Sequence, residues 1–318
     1  MTMRTPALML CVLLATACAV GEGAGAEPEE GGGTVLGVGA GPDPESTLLA
    51  EILAGHLVAE GFDAEVVAFP TAQGARRAIE EGRVDLRPAY TGEAWLQVLG
   101  RADPPSSAEA SFSAVREHDE EHEGIVWLAP PFGDGVAEPP ADATFAFVVS
   151  PALHESGVES VSQLATRLSE EPESVLCVDH DFATRNDGLP AVLSAYSVRS
   201  DQPVLAAAPQ DAAAGVAAGD CVAGLTVATD GAAWSLGAWP LVDDLGVFPA
   251  FVVAPQVRAE VLDEHPRIRA ALEPFVEGVT TRRLGGWNAR ILAGEPIGEV
   301  AADAADELRR EAGRDTAG

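Results

Sequence analysis

The sequence predicts an α/β protein of two lobes, each with a parallel-rich sheet flanked by helices, joined by two hinge strands. Three observations predict it. Short apolar runs of strand length alternate with segments whose apolar residues recur at helical spacing, and such alternation builds parallel sheets covered by helices. The chain has 318 residues, enough for two moderate domains with cores of their own. Two uninterrupted apolar stretches, 144–149 and 248–254, bracket its middle, as strands crossing between lobes would.

At the amino terminus Arg4 precedes an apolar run over 7–15, followed by Ala15-Thr16-Ala17-Cys18. A charged start, a short apolar run and small residues before a cut site make a cleaved export signal over 1–18. It resembles a bacterial lipoprotein signal, in which Cys18 becomes the lipidated first residue; the alternative is an ordinary signal cut nearby. Residues 19–33, rich in Gly and Glu without apolar periodicity, read as a flexible tether. No later apolar run is long enough to span a membrane.

The ordered chain opens with a strand over 34–38. Asp43 is the N-cap and Pro44 the first residue of a helix whose Leu48, Leu49, Ile52, Leu53 and Leu57 share one face as far as Glu60. A strand over 64–69 and a helix over 72–81 carrying Arg76 and Arg77 follow. Then comes a short buried strand, 84–87, which Pro88 ends, and Thr91 caps a helix opening at Gly92. A polar helix over 106–122 leads to a strand at 124–128. Beyond Pro139-Pro140 the hinge strand 144–149 begins the second lobe. Helices over 161–168, 190–196 and 212–217 alternate there with strands over 174–178 and 221–229. From 257 to 312 the pattern is helical, with a break near Gly285-Gly286. These boundaries give lobe one as 34–144 plus 249–318 and lobe two as 145–248.

Composition narrows the function. Nineteen basic against fifty acidic residues give a formal charge of -31, which argues against nucleic acid and anionic lipid surfaces as partners. The chain has no lysine, which excludes a Walker-A lysine and a Schiff base. The acidity fits a halophilic trait or a surface kept soluble at high ionic strength. Of four cysteines, Cys11 leaves with the signal and Cys18 is lipidated. Cys177 and Cys221 remain in an oxidising compartment, each beside a strand of the same half, and a disulfide between them is expected. A metal pair at these two cysteines is not expected.

Other motifs resolve as ordinary structure. Gly37-Val38-Gly39-Ala40-Gly41 has Pro42 where a dinucleotide fingerprint needs its third glycine, so it reads as a tight turn. His118-Asp119-Glu120-Glu121-His122 lacks a Glu directly after the first His, and reads as a solvated acidic helix face rather than a metal site. There is no Gly-x-Ser-x-Gly elbow.

Two stretches carry the function. Tyr90 ends a strand just before a helix N-terminus, the crevice where open α/β sheets bind ligands, and offers an aromatic face and a hydroxyl. Asp85-Leu86-Arg87-Pro88-Ala89-Tyr90-Thr91-Gly92-Glu93-Ala94-Trp95 resembles the Asp-x-x-Pro-x-Tyr-Thr-Gly-Thr-x-Trp signature of the osmoprotectant-binding proteins of ABC importers, the OpuAC/ProX type. Arg185 lies in a loop before a helix, where its guanidinium can grip a carboxylate in two-pronged fashion or pair with Asp187. Arg185-Asn186-Asp187-Gly188-Leu189-Pro190 resembles that family's Arg-x-Asp-Gly-Leu-Pro. Pro44-Glu45-Ser46, Thr71, Thr144-Phe145-Ala146, Ala228-Thr229-Asp230-Gly231, Phe248-Pro249-Ala250-Phe251 and Trp287-Asn288-Ala289 fit further family segments in order.

The resemblance implies a type II periplasmic-binding-protein fold that captures glycine betaine, choline or a related osmolyte and hands it to ABC permease subunits. It implies no cofactor and no catalysis, a monomer, and lipid anchoring to the outer face of the bacterial cytoplasmic membrane. A sensory binding module, or an importer component for another small zwitterion or cation, is the alternative; an enzyme on the same scaffold lacks a nucleophile–base pair. The family cages its quaternary ammonium with tyrosines by cation–π attraction. Carried over, the ligand-binding residues are Tyr90, Thr91, Thr71, Phe145, Arg185, Val227 and Phe251, with Asp43 at the pocket mouth. Phe145, Val227 and Phe251 stand where the cage has tyrosines, so two phenyl faces remain and the phenolic hydroxyls are gone.

Overall fold

Among the described residues ten strands form two five-stranded mixed sheets. The computed structural model describes residues 35–315 apart from 102–104, 106, 134–135 and 137; the export signal, Cys18 and the tether lie outside the described residues. The first sheet runs β2-β1-β3-β10-β4, with β1 Leu36–Ala40, β2 Ala64–Ala68, β3 Leu86–Tyr90, β4 Ile125–Trp127 and β10 Val253–Arg258. The second runs β7-β6-β8-β5-β9, with β5 Phe145–Val149, β6 Leu176–Val178, β7 Val204–Ala206, β8 Ala223–Val227 and β9 Trp239–Pro240. Pairing is parallel within the strand–helix–strand units (β1 with β2 and β3, β6 with β7 and β8). It is antiparallel where β5 and β10, the first strands after each crossing between sheets, return beside β8 and β3.

Each sheet has its own core. Leu36, Val38 and Leu86 meet Leu49, Leu53, Leu272, Phe275 and Leu308 in one cluster, and Phe147, Val149, Leu176 and Leu225 meet Leu164, Leu168 and Val192 in another. Both clusters are the apolar faces that the periodicity predicts. The helix Pro44–Ala59 runs under the first sheet, its N-cap Asp43 accepting from the Ser46 amide at 2.8 Å. No helix among the described residues is long and apolar enough to cross a membrane.

Several local expectations need correction. Pro88 does not end its strand; it lies within β3 directly opposite Pro255 of β10. Opposed residues of an antiparallel ladder either exchange both hydrogen bonds or neither. Two facing prolines therefore occupy a pair that asks nothing of their missing donors. Thr91 is not a cap. The helix Thr91–Gln97 has Tyr90 at its N-cap position. The Thr91 hydroxyl instead donates to the Ala250 carbonyl at 3.3 Å and accepts from the Val252 amide at 3.0 Å, fastening the chain where it returns from the second sheet. The apolar run 248–254 is mostly that crossing segment, and the strand itself begins at Val253. The helix Thr281–Leu292 continues through Gly285-Gly286 without a break.

Asp119 departs from the solvated acidic face expected of its helix, being 1% exposed. It accepts both terminal nitrogens of Arg76 (2.6 and 2.7 Å), the Trp127 indole N–H (2.7 Å) and the Gln256 amide (2.9 Å). A carboxylate so saturated offsets its desolvation and locks β4 and β10 to the helices beside them. His118 and His122 stack face to face at 4.6 Å on the outer side of the same helix.

Candidate ligand site between the two sheets

β1 and β3 are parallel neighbours, so their carboxyl ends deliver the chain to the same edge of the first sheet. β1 leads into the helix Pro44–Ala59 and β3 ends at Tyr90. Glu45, in the first turn of that helix, therefore reaches Tyr90, whose hydroxyl donates to Oε1 at 2.7 Å. The second oxygen of Glu45 accepts from Asn288 Nδ2 at 2.5 Å, and the same nitrogen donates to the Thr229 carbonyl at 2.9 Å. Thr229 follows β8 of the second sheet. The short chain Tyr90–Glu45–Asn288–Thr229 thus crosses from one sheet to the other.

Burial pushes the Glu45 carboxyl above its ordinary range, against the hydrogen bonds from Tyr90, Thr229 and Asn288, while nearby Asp43 pushes the same way as burial. Burial, with Glu45 next, holds Tyr90 well above the ordinary phenol range.

A cleft of about 520 Å3 opens beside this chain, lined among others by Asp43, Glu45, Val227, Asp230, Asn288 and Leu292. The ionisable groups among its described lining residues are Asp43, Glu45 and Asp230, all acidic. Asp43 and Asp230 also cap helices: Asp230 accepts from the Ala232 amide at 2.9 Å and from the Thr226 hydroxyl at 2.7 Å. Small, mostly apolar and acid-edged, the cleft suits an organic cation.

The residues singled out from sequence are placed unevenly. Asp43 and Val227 line the cleft and Tyr90 borders it through Glu45. Phe145, 38% exposed, lies opposite Val227 in the β5–β8 register, with its ring 5.6 Å from Phe182. The Phe251 ring covers Gly92, where a Cβ would come within 2.6 Å of it; only glycine admits the ring there. Thr91 is buried in the crossing segment and Thr71 is an exposed N-cap accepting from the Gly74 amide at 3.0 Å. Arg185 is exposed, with Nε 2.7 Å from Asp187 and its guanidinium 5.5 Å from the Phe182 ring centre. Glu45, Thr229, Asp230 and Asn288 were not singled out as site residues, although their segments fit the family pattern. The rule that found Tyr90, a strand's carboxyl end before a helix, applies equally to Glu45 after β1 and Asp230 after β8. Cys177 of β6 and Cys221, two residues before β8, form a disulfide with Cα atoms 5.6 Å apart.

Residues 35–307 match the family model for OpuAC, the substrate binding domain of ABC-type glycine betaine transport system. The chain is 31% identical over 276 residues to the glycine betaine-binding protein YehZ of Escherichia coli, covering 84% of this chain and 88% of that one. It is 30% identical over 257 residues to a glycine-betaine-binding protein of Pseudomonas aeruginosa, covering 78% of this chain and 79% of the relative. Among solved structures, apo YehZ superposes with a TM-score of 0.78 at 28% identity, over 86% of this chain and 98% of that one. A glycine betaine/carnitine/choline ABC transporter structure superposes with a TM-score of 0.75 at 17% identity, over 86% of this chain and 98% of that one, a likeness of fold.

Proposed function

Because the chain belongs to the OpuAC family, the substrate-binding domains of ABC-type glycine betaine transport systems, we propose that it captures a small quaternary-ammonium or betaine-like osmolyte between two lobes and delivers it to an ABC permease. The observation that carries the reading is the acid-edged cleft of about 520 Å3 at the carboxyl ends of β1 and β8, beside Tyr90. Lobe one comprises 34–144 and 249–318, and lobe two 145–248. The lobes hinge about the two crossings, near Thr144 and Phe251, to admit and enclose the ligand. Tyr90, Phe145 and Phe251 supply aromatic faces, Asp43 and Glu45 negative potential, and Val227 an apolar wall. Thr71 and Thr91 flank the site, and Arg185 is held in the adjoining loop for a carboxylate. Cys18 anchors the mature monomer by lipid to the outer face of the cytoplasmic membrane, and the protein binds rather than transforms its ligand.

Thermal-shift titration of the purified chain with glycine betaine, choline, carnitine and ectoine tests this, since a ligand of the folded state raises stability by mass action. A saturable rise with at least one of them is expected. Unchanged melting with all four, up to concentrations far above those of a low-affinity binder, would sink the reading.

A further inference from the structure

Asn288 lies where a helix following β8 packs backbone to backbone against the helix Thr281–Leu292. The short helix Gly231–Ser235 leaves the end of β8, and the helix Thr281–Leu292 packs along it. A Cβ on Gly231 would come within 2.6 Å of the Asn288 carbonyl carbon and oxygen, so backbone meets backbone there. Toward the other end of the pair the Trp234 indole rests on Gly285, a position with no room for a side chain. With that contact fixed on both sides, the Asn288 carboxamide projects between Glu45, attached to the first sheet through the helix after β1, and Thr229, attached to the second through β8. Its single –NH2 serves both, at 2.5 and 2.9 Å.

We propose that Asn288 is the positioning residue that latches the cleft closed, one amide nitrogen holding the Glu45 carboxylate on one wall and the Thr229 carbonyl on the other. The chemistry favours asparagine. An amide nitrogen has two protons, one for each acceptor. An ionised aspartate has none and sets a third oxygen centre against two others. Leucine has a similar size and no donor. The same group aims Glu45 at the cleft, so a ligand there meets a carboxylate already oriented by closure. The inference rests on the ligand-site reading only for what closure serves; the latch itself is a property of the unliganded chain.

Small-angle scattering of the unliganded full chain at pH 8 and pH 5.5 tests it, on wild type, Asn288→Asp and Asn288→Leu, with circular dichroism confirming each fold. The wild type keeps one radius of gyration at both pH values. Asn288→Asp expands at pH 8, where two carboxylates face each other. At pH 5.5 a shared proton restores one of the two bonds, and the radius falls part of the way back. Asn288→Leu is expanded at both. Wild-type radii for both folded variants would overturn the latch. Equal expansion of Asn288→Asp at both pH values would also overturn it, because lost packing rather than a lost donor would then be the cause. Neither outcome depends on which ligand the cleft takes.

Discussion

The Tyr90 hydroxyl donates to the Glu45 carboxylate across 2.7 Å, joining the end of β3 to the first turn of the helix that follows β1. The bond gives Tyr90 two separable jobs: an aromatic face beside the cleft and a donor to a buried acid. Tyr90→Phe keeps the first and removes the second. Hydrogen bonds to charged groups contribute about 1.5–3 kcal/mol, and urea unfolding at pH 8 should show a loss of that size. The affinity for choline should stay within a few-fold of wild type. Tyr90→Ala removes the ring as well, and should weaken choline binding by a further ~1–2 kcal/mol. Equal affinities of the Phe and Ala variants would take Tyr90 out of the site and leave it a packing residue.

His56 and Asp142 should impose opposite pH dependences on stability. His56 is 0% exposed, both ring nitrogens lack partners, and burial together with Arg309 lowers it from 6.5 to about 4. The unfolded chain takes up this proton near 6.5 and the folded chain only near 4. Stability is therefore full above 6.5 and falls as the pH drops through that window, by about 3 kcal/mol in all. His56→Leu removes the slope. It should also raise stability at pH 7 by about 1–3 kcal/mol, since no unpaired nitrogens stay buried. A variant less stable than wild type at pH 7 would mean that the ring's packing outweighs its unpaired nitrogens.

Asp142 lies at the crossing between the sheets, where its carboxylate accepts the Phe251 amide at 2.7 Å and its own amide donates to the Thr281 hydroxyl at 3.1 Å. Burial raises it from 3.8 to about 6, against the hydrogen bonds from the Phe251 and Thr144 backbone. Its contribution is full below 3.8 and lost as the pH rises through about 6, again by about 3 kcal/mol. In wild type this slope opposes that of His56 over much of the same range, so the two partly cancel. Asp142→Asn keeps the acceptor and drops the charge. It should be the more stable form at pH 8, match wild type near pH 4, and expose the His56 slope. Identical pH profiles for wild type and Asp142→Asn would place the ionised carboxylate in water.

The disulfide joins residues 44 apart in sequence, and closing a loop of that length restricts the unfolded chain by about 4 kcal/mol. Replacing Cys177 and Cys221 by alanine should lower urea stability by roughly 2–5 kcal/mol. Alkylation of the unreduced wild type should leave both sulfurs unlabelled by intact mass. Labelling of both would show reduced thiols.

The sequence made the α/β architecture and most elements legible because their cause is local. Leu48, Leu49, Ile52, Leu53 and Leu57 face one way in any α-helix. Errors came where a partner far along the chain decides. Pro88 stays in β3 because Pro255, 167 positions on, faces it. Thr91 forgoes capping because Ala250 and Val252 take its hydroxyl. Asp119, amid the exposed acids of its helix, is buried because Arg76, Trp127 and Gln256 converge on it. In the candidate site, the strand-end position of Tyr90 marks it from sequence alone. Glu45, an acid in a helix first turn, suits that place wherever it points, and its partners Tyr90 and Asn288, 45 and 243 residues away, are what draw it to the cleft.

Ligand choice should turn on Arg185. Its guanidinium pairs with Asp187 at 2.7 Å, but the two side chains are 56% and 77% exposed. An ion pair that open to water is worth about 0–1 kcal/mol, so a ligand carboxylate can displace Asp187 at little cost. The guanidinium also lies over Phe182, whose ring leans on Phe145, and Phe145 faces Val227 of the cleft wall. The acids of the cleft favour any quaternary ammonium alike, so discrimination falls to the other end of the ligand. Glycine betaine offers Arg185 a carboxylate and choline does not. Glycine betaine should thus bind more tightly than choline, and Arg185→Ala should narrow or abolish the gap. Asp187→Ala, by removing the competitor, should widen it, by no more than the few-fold that a surface pair is worth. Calorimetric titration of both compounds into the three proteins decides it. Choline binding as tight as glycine betaine in wild type, and untouched by Arg185→Ala, would leave Arg185 a surface residue and assign selection to Asp43, Glu45 and Asp230 alone.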